Sequence, residues 1–306
     1  MHYLFTRRTY NASERRFTWN DSVRMRYVAV PEGTPAKREH FEPFEGDVEA
    51  WNACVRDAAA GKPVVVFTHG YNTLQDEARE RMTLIQNGLN AAGFPCLVVL
   101  FDWPSAGSKV LYGRDRRFAR KVAPSFIADG IMQLRRVVPR SRLHLVTHSM
   151  GAFMTMKAFG AVQNFDTRLA FNEGAFVASD IDQAAMAMGG EGQKVASTWF
   201  KRFTNYYSSL DRVLNLQTGF VSGKVRAGYD GSPDNTDMDF DDVYCGAQYT
   251  SKVPDGEKGL IPSHTFYWSD PGFYRDLAMT LQGRDRSPRP TRRSLQGRPN
   301  DVALLT

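Results

Sequence analysis

Apolar residues follow two patterns along this chain: short continuous runs, and longer stretches with an apolar residue at every third or fourth position. Four short runs lack polar alternation, which is typical of strands buried on both faces of a sheet: 63–67, 96–101, 143–146 and 175–178. Apolar residues at helical spacing follow each of the first three runs. Strands that alternate with helices predict an α/β fold, in which helices cover both faces of a mostly parallel central sheet.

Weaker signals place further elements before and after this pattern. Strands are predicted at 3–6, 25–30, 203–208 and 242–249, and helices at 47–60 and from Pro271 onward. In a parallel sheet, ligands bind beyond the carboxyl ends of the strands. Five polar residues that follow predicted strands fall at this edge: His69, Asp102, Ser149, Asp180 and Asp211.

The end of the third apolar run carries the strongest chemical signal. The run leads into Thr147-His148-Ser149-Met150-Gly151, and a helical pattern begins directly after it. A strand that turns sharply into a helix with serine at the corner is the nucleophile elbow of serine hydrolases. Thr147 stands where the usual G-x-S-x-G pattern has its first glycine. A serine that only caps an ordinary helix is therefore the alternative.

A carboxylate and a histidine follow this serine in a workable order. A nucleophilic serine needs a histidine base, and the histidine needs an acid that holds its tautomer. His264 is the one histidine of six that follows Ser149. Asp211 is the predicted acid, because it follows the 203–208 strand, the penultimate strand of the predicted sheet. Asp180, which follows the preceding strand, is the alternative acid or a residue that shapes the pocket.

Backbone N–H groups are expected to hold the oxyanion of a reacting carbonyl group. Met150 supplies one such group directly after the serine, and Tyr71 supplies the second from the loop after the first apolar run. Gly70 in that loop permits a close backbone approach. His69 precedes the serine and is expected to position the loop. The candidates for the surrounding pocket are His69, Asn72, Asp102, Trp103, His148 and Asp180.

Four segments together resemble one group of proteins: His69–Asn72, Phe101–Ser105, Thr147–Gly151 and Tyr207–Asp211. Over about residues 60–281 the chain resembles the bacterial α/β-hydrolases of the DUF900 type, which are esterase/lipase-superfamily proteins of unknown function. The resemblance implies an α/β-hydrolase fold and a catalytic triad of Ser149, Asp211 and His264. It implies no particular substrate.

These residues predict a serine hydrolase that acts through an acyl-serine, with a carboxylesterase acting on a small-molecule acyl substrate as the simplest reading. The same triad would serve a thioesterase, an amidase or an acyltransferase. A binding module that keeps the fold without turnover is a further alternative. No cofactor or metal is expected, because the sequence has no H-E-x-x-H motif, no paired Cys/His cluster and no Walker loop.

Composition adds expectations about location and partners. No apolar run approaches the roughly 20 residues of a membrane span, the N-terminus lacks a signal-peptide pattern, and three cysteines are widely spaced. A cytoplasmic location is therefore expected. Residues 1–26 and 283–306 each carry six arginines against two carboxylates, a balance of +4 each, and the rest of the chain carries about −2, which gives the net charge of +6. No clear nucleic-acid or membrane partner is indicated, although the ends allow weak electrostatic binding, and the oligomeric state stays open.

Three parts of the chain are distinguished. Residues 1–46 contribute N-terminal strands and a loop that join the sheet, and residues 47–282 form the α/β-hydrolase catalytic domain. Segment 182–202 forms either a small cap over the site or a helix that packs on the sheet. The segment Arg284–Arg293 is rich in arginine and proline and low in apolar residues, so the basic tail at 283–306 is predicted to be disordered.

Overall fold

The buried apolar runs lie at the centre of one sheet in a computed structural model, which describes residues 1–105, 112–162, 170–217, 223–233, 239–284, 289–295 and 301–305. The described strands are β1 (His2–Asn11), β2 (Arg16–Val30), β3 (Val64–Thr68), β4 (Leu97–Asp102), β5 (Leu143–His148), β6 (Phe171–Val177), β7 (Phe200–Tyr207), β8 (Phe240–Tyr244), β9 (Arg292–Ser294) and β10 (Asp301–Leu304). Their order across the sheet is β2-β1-β4-β3-β5-β6-β7-β8-β10-β9.

The sheet is mostly parallel, as predicted. In the sheet order, every pair of neighbouring strands between β1 and β10 is parallel. The two edge strands are antiparallel to their neighbours: β2 to β1, and β9 to β10. Every residue of β3, β4 and β5 is buried, which explains their continuous apolar runs. Because parallel strands end at the same edge, the residues that follow β3, β4, β5, β6 and β7 lie close together.

Helices cover both faces of this sheet. Their bounds are α1 (Val48–Ala59), α2 (Gln75–Ala91), α3 (Tyr112–Ser125), α4 (Met132–Val137), α5 (Met150–Gly160), α6 (Glu191–Trp199), α7 (Arg212–Leu216), α8 (Ala227–Asp230), α9 (Gly246–Lys252), α10 (Pro262–Thr265) and α11 (Pro271–Leu281). Apolar side chains of α1 and α3 to α6 pack on one face, and those of α2, α9 and α11 pack on the other. Among the described residues, no helix is both long and apolar enough to cross a membrane.

The predicted strand at 242–249 is wrong in its second half. Strand β8 ends at Tyr244, and α9 begins at Gly246. Val243, Cys245 and Tyr249 are all buried, so their spacing fits a strand as well as a helix. In the helical conformation, the side-chain amide of Gln248 donates a 2.9 Å hydrogen bond to the carbonyl oxygen of Leu304 in β10.

The prediction of a disordered tail at 283–306 is wrong for the parts of it that form strands. β10 pairs in parallel with β8, and β9 pairs antiparallel with β10. Arg292 is buried, and its guanidinium lies 2.7 Å from the carboxylates of both Asp276 and Asp241. Composition treats such an arginine as solvated, whereas these ion pairs bury it. Residues 285–288, 296–300 and 306 lie outside the described residues.

Segment 182–202 packs against the body of the fold. It contains a short 3-10 helix (Gln183–Met186), helix α6 and the first residues of β7. The indole of Trp199 stacks on the ring of Phe159 in α5, with ring centroids 4.2 Å apart and planes inclined by 12°. Helix α6 of this segment is therefore packed against α5.

Candidate active site

Ser149 occupies a strained turn between β5 and α5. Its backbone angles are φ 55° and ψ −122°, a conformation that residues other than glycine rarely adopt. The end of β6 holds the turn on both sides. The N–H of Ser149 donates to the carbonyl oxygen of Val177 at 3.0 Å, and its own carbonyl oxygen accepts from the N–H of Asp180 at 3.1 Å. The predicted strand–turn–helix geometry is therefore present, with serine at its corner.

At this turn, the backbone of Gly151 lies close to the backbone at the end of β3. A Cβ atom added to Gly151 would lie 2.6 Å from the carbonyl oxygen of His69 and 2.7 Å from that of Thr68. Thr147 instead lies within β5, where it pairs with Thr68 across the sheet. Position 147 accommodates a side chain because its backbone has the regular geometry of a strand. The departure from G-x-S-x-G thus has a structural explanation.

Replacing Gly151 with alanine is expected to destabilise the fold by about 1–3 kcal/mol, because the new methyl group meets backbone atoms that cannot rotate away. The free energy of unfolding, measured by urea denaturation, tests this. Gly113 in α3 is the matched control, since a Cβ there meets no atom within 4 Å. Equal effects of Gly151→Ala and Gly113→Ala would contradict the crowding at the turn.

His264 and Asp211 form a direct hydrogen bond. Nδ1 of His264 lies 2.6 Å from Oδ2 of Asp211. The carboxylate is fully buried at the start of α7, where its Oδ1 accepts the N–H of Leu214 at 3.0 Å. Because a carboxylate accepts, Nδ1 carries the proton, and Nε2 of the neutral imidazole is left as a proton acceptor. The structure therefore brings together the predicted base and the predicted acid.

Asp180 lies in a different cluster, with tyrosine and arginine. Its Oδ2 accepts the hydroxyl of Tyr112 at 2.7 Å. Its Oδ1 lies 3.1 Å from Nε of Arg226 and 3.6 Å from Nη1 of Arg116. Burial raises the pKa of Asp180, and the two guanidinium groups oppose that shift. Asp180 thus contacts the serine turn through its backbone. Its carboxylate contacts the tyrosine and the two arginines, and it forms no hydrogen bond with His264 among the described residues.

His69, Asp102 and Trp103 form the support of the loop after β3. The imidazole of His69 stacks on the indole of Trp103, with ring centroids 5.2 Å apart. The indole N–H donates to the carbonyl oxygen of His69 at 2.8 Å, and Nδ1 of His69 lies 2.8 Å from the carbonyl oxygen of Gly70. Oδ1 of Asp102 lies 3.3 Å from Nε2 of His69. These contacts fix the loop after β3 against β4 and the residue that follows it.

Arg8 anchors this support and was not among the residues singled out from the sequence. Its Nε donates to Oδ1 of Asp102 at 2.7 Å, and Nη2 donates to the carbonyl oxygen of Thr73 at 2.8 Å. Burial alone would raise the pKa of Asp102, but Arg8 and His69 hold it well below its usual range. The arginine-rich composition of the N-terminal region concealed this residue, since it predicts solvated side chains.

Two backbone N–H groups near the serine lack acceptors. In the described part of the chain, neither the N–H of Tyr71 nor that of Met150, the first residue of α5, donates a hydrogen bond. The next residue of the loop, Asn72, has φ 55°, and its N–H donates to Asp115 at 3.2 Å. The loop is therefore held by Asn72, while the preceding N–H stays available for a ligand.

His148 supports His264 from behind. Its Nε2 donates to the carbonyl oxygen of His264 at 3.1 Å, and the two ring centroids lie 4.7 Å apart. Burial lowers the pKa of His148 well below its ordinary value, and the proximity of His264 and Arg81 lowers it further. His148 is therefore neutral at physiological pH, which suits a positioning role.

A cavity of about 420 Å³ opens onto these groups. Its lining includes the side chains of Ser149 and His264. Exposed apolar residues at its rim are Leu84, Leu216, Leu260 and Ile261. Its charged lining residues are Glu77, Glu80 and Arg81 of α2. Among the described residues, no group of three His, Cys, Asp or Glu side chains is arranged to hold a metal ion.

Arg81 is a second residue that the sequence analysis left out. Position 81 follows Ala78 by three residues and precedes Ile85 by four, so it belongs to the edge of the apolar stripe of α2. A charged residue at such a position is unusual in a helix that packs on a sheet. This interruption of the apolar stripe is the feature of the sequence that could have pointed to Arg81.

The fold and this arrangement of serine, histidine and carboxylate define the class of α/β hydrolases. The chain belongs to the family described as alpha/beta hydrolase of unknown function (DUF900), whose model matches residues 48–235. The resemblance seen in the sequence is thereby confirmed. A search of curated proteins found no match.

Solved structures of similar fold include three with related descriptions. A predicted CIB-like hydrolase from Thermoplasma acidophilum is 15% identical, with a TM-score of 0.37, and the match covers 73% of this chain and 88% of that one. An esterase from Pyrobaculum calidifontis is 10% identical (TM-score 0.36; 72% and 76% covered). A cutinase from Trichoderma reesei is 14% identical (TM-score 0.33; 78% and 92% covered). The family match, rather than these structures, carries the assignment.

Proposed function

We propose that this protein is a serine-dependent carboxylesterase that cleaves an acyl ester through an acyl-serine intermediate. The observation that carries the proposal is the 2.6 Å hydrogen bond between His264 and Asp211 at the cavity that contains Ser149. The strained backbone of Ser149 supports it further, because such strain is costly and persists where function requires the geometry.

In the proposed first step, Oγ of Ser149 attacks the carbonyl carbon of the ester, and its proton passes to Nε2 of His264. The carbonyl oxygen becomes an oxyanion, which accepts hydrogen bonds from the N–H groups of Met150 and Tyr71. When the tetrahedral intermediate collapses, the bond to the alcohol oxygen breaks, and His264 returns its proton to the departing alcohol. The products of this step are the acyl-serine and the free alcohol.

In the second step, water replaces the alcohol. Nε2 of His264 takes a proton from water, and the resulting hydroxide attacks the acyl-serine carbonyl. Collapse of this intermediate releases the carboxylic acid and returns the proton to Oγ of Ser149. Throughout, Asp211 keeps the imidazole in its tautomer and stabilises the imidazolium. The N-terminal end of α5 adds a favourable dipole at the oxyanion.

The remaining polar residues position these groups. His69, Asp102 and Trp103 hold the loop that carries the N–H of Tyr71. His148 fixes the backbone of His264. Asp180 holds the serine turn through its N–H, while its carboxylate neutralises nearby arginines. A carboxylic ester is the proposed substrate because its cleavage needs no group beyond those described.

Labelling with a fluorophosphonate probe tests the proposal. The wild-type protein is expected to form one covalent adduct, mapped to Ser149 by mass spectrometry, because the probe reports an activated serine. Ser149→Ala should abolish labelling and His264→Ala should slow it by at least about 10³-fold. Ser209→Ala is the matched control, since Ser209 is exposed near the acid loop and should leave labelling unchanged.

Two results would overturn the proposal. One is a folded wild-type protein that fails to react with the probe. The other is labelling that survives Ser149→Ala, which would mean that another serine is the nucleophile. A parallel screen of para-nitrophenyl esters, acyl thioesters and anilides then tests the preference for esters.

A further inference from the structure

Arg81 is a charged residue of the cavity that the proposed mechanism does not use. Its side chain is half-buried, and the carbon atom of its guanidinium lies 5.6 Å from the ring centroid of Trp268. It lines the same cavity as Ser149 and His264. Over the described residues, the side chain of Arg81 forms no hydrogen bond or ion pair; its neighbours are the ring of Trp268 and, at longer range, Tyr274, Glu77 and Glu80.

Other arginines around the site are paired with carboxylates. Arg8 contacts Asp102, and Arg226 and Arg116 contact Asp180. Burial lowers the pKa of Arg81, but a guanidinium remains charged at physiological pH. Tyr274, Glu77 and Glu80 oppose this effect of burial from a distance, but in the described part of the chain no carboxylate lies within ion-pair distance of Arg81. Its N–H groups at the cavity are therefore available to a ligand that accepts hydrogen bonds from them.

The guanidinium of Arg81 lies close to the residues that surround Ser149 and His264. Trp268, beneath the guanidinium, also contacts the ring of His148, with centroids 5.5 Å apart. His148 in turn packs on His264. Arg81 therefore faces the wall of the cavity formed by the residue before the serine and by the loop of the proposed base.

The carboxylates of the cavity limit the charge of the ligand. Glu77 and Glu80 lie on the same helix and are exposed to water. Oε2 of Glu77 accepts the N–H of Leu74 at 2.8 Å, which holds it at the start of α2. Two exposed negative charges beside one arginine disfavour a dianion such as a phosphate monoester. A single carboxylate is the better match.

We propose that Arg81 binds a carboxylate on the substrate, so that the preferred substrates are esters with one negative charge away from the scissile bond. This inference rests on the proposed esterase function. A guanidinium offers a planar pair of N–H donors that fits the two oxygens of a carboxylate. The apolar rim of the cavity accommodates the uncharged remainder of the substrate.

Two matched pairs of esters test this inference. The first places the charge on the acyl part: para-nitrophenyl hemiglutarate against para-nitrophenyl hexanoate. The second places it on the alcohol part: para-carboxyphenyl butyrate against phenyl butyrate. For each protein, the readout is the ratio of kcat/KM for the anionic ester to that for its neutral partner. This ratio cancels a general loss of activity or stability.

The wild type is expected to prefer the anionic member of at least one pair. Arg81→Met should lower that ratio by about 10- to 100-fold, mainly through KM, because a remote ionic contact is present in both ground state and transition state. Arg81→Lys should retain part of the preference. Arg275→Met is the matched control, since Arg275 is exposed on α11 outside this cavity. Its ratio should equal that of the wild type.

A binding measurement separates this inference from the esterase proposal. Ser149→Ala protein is titrated calorimetrically with both anionic esters, and their Kd is compared with that of the Ser149→Ala/Arg81→Met protein. A rise of about 10- to 100-fold for one ester is expected, whether or not the wild type is an esterase. Equal Kd values for both esters, or a wild type that prefers the neutral member of both pairs, would overturn the role of Arg81. Failure of fluorophosphonate labelling would overturn the esterase proposal alone.

Discussion

Replacing Ser149 with alanine is expected to lower kcat for para-nitrophenyl butyrate by about 10⁴- to 10⁶-fold, because no other group supplies the nucleophile. His264→Ala should cost a similar factor. The double variant should be no worse than either single variant, since the two side chains act as one unit in proton transfer and attack. Initial rates with purified, folded proteins provide the measurement. Losses that multiply in the double variant would contradict this coupling.

The two candidate acids should separate in the same assay. Asp211→Asn is expected to lower kcat by about 10²- to 10⁴-fold, because an amide favours the wrong tautomer of His264 and cannot stabilise the imidazolium. Asp180→Asn changes the pairing of Arg226 and Arg116 and should mainly reduce the free energy of unfolding. The opposite ranking of the two kcat values would assign the acid to Asp180.

Replacing Arg292 with methionine is expected to cost about 3–5 kcal/mol in the free energy of unfolding. Arg292 forms a bidentate pair with Asp276 and also contacts Asp241. The variant removes the bidentate partner of the buried Asp276 carboxylate and leaves it the guanidinium of Arg289, which lies 4.0 Å away. Urea denaturation near pH 7 measures the effect. Arg293→Met is the matched control, because Arg293 is exposed and its loss should change stability by no more than about 0.5 kcal/mol.

The loss of unfolding free energy in Arg292→Met is expected to depend on pH through Asp276. Burial opposes ionisation of Asp276, but Arg292 holds the pKa of Asp276 below its usual range. A depressed carboxylate pKa contributes stability above the unfolded value of about 3.9 and loses it as the pH falls through the folded value. The difference between wild type and Arg292→Met should therefore shrink as the pH falls below about 4. Equal stabilities of Arg292→Met and Arg293→Met at pH 7 would mean that the C-terminal strands do not dock through this ion pair.

Much of the sheet was predictable because its central strands are a local property of the chain. Runs such as 96–101 have no polar alternation, and this pattern arises when both faces of a strand are covered. The helix that follows Ser149 was equally visible. The segment after Tyr244 was not, because its buried residues fit both periodicities and a contact to Leu304 accompanies the helix.

The candidate site was predictable in part. The order of Ser149, Asp211 and His264 along the chain follows the strands of the sheet, whose carboxyl ends meet at one edge. The sequence could not separate Asp211 from Asp180 by chemistry, since both are aspartates after strands. The structure brings Asp211 to 2.6 Å from the imidazole and pairs Asp180 with arginines.

The sequence by itself thus determined the α/β architecture, the serine turn and the order of the polar groups at its edge, all of which depend on local pattern and chain order. The tertiary structure alone decided the environments of Arg8, Arg81 and Arg292. Two of these arginines are buried in ion pairs, and the third, Arg81, lies in the cavity wall over the ring of Trp268. The reason is physical: the burial of a charge depends on partners distant in sequence, and composition alone predicts solvation.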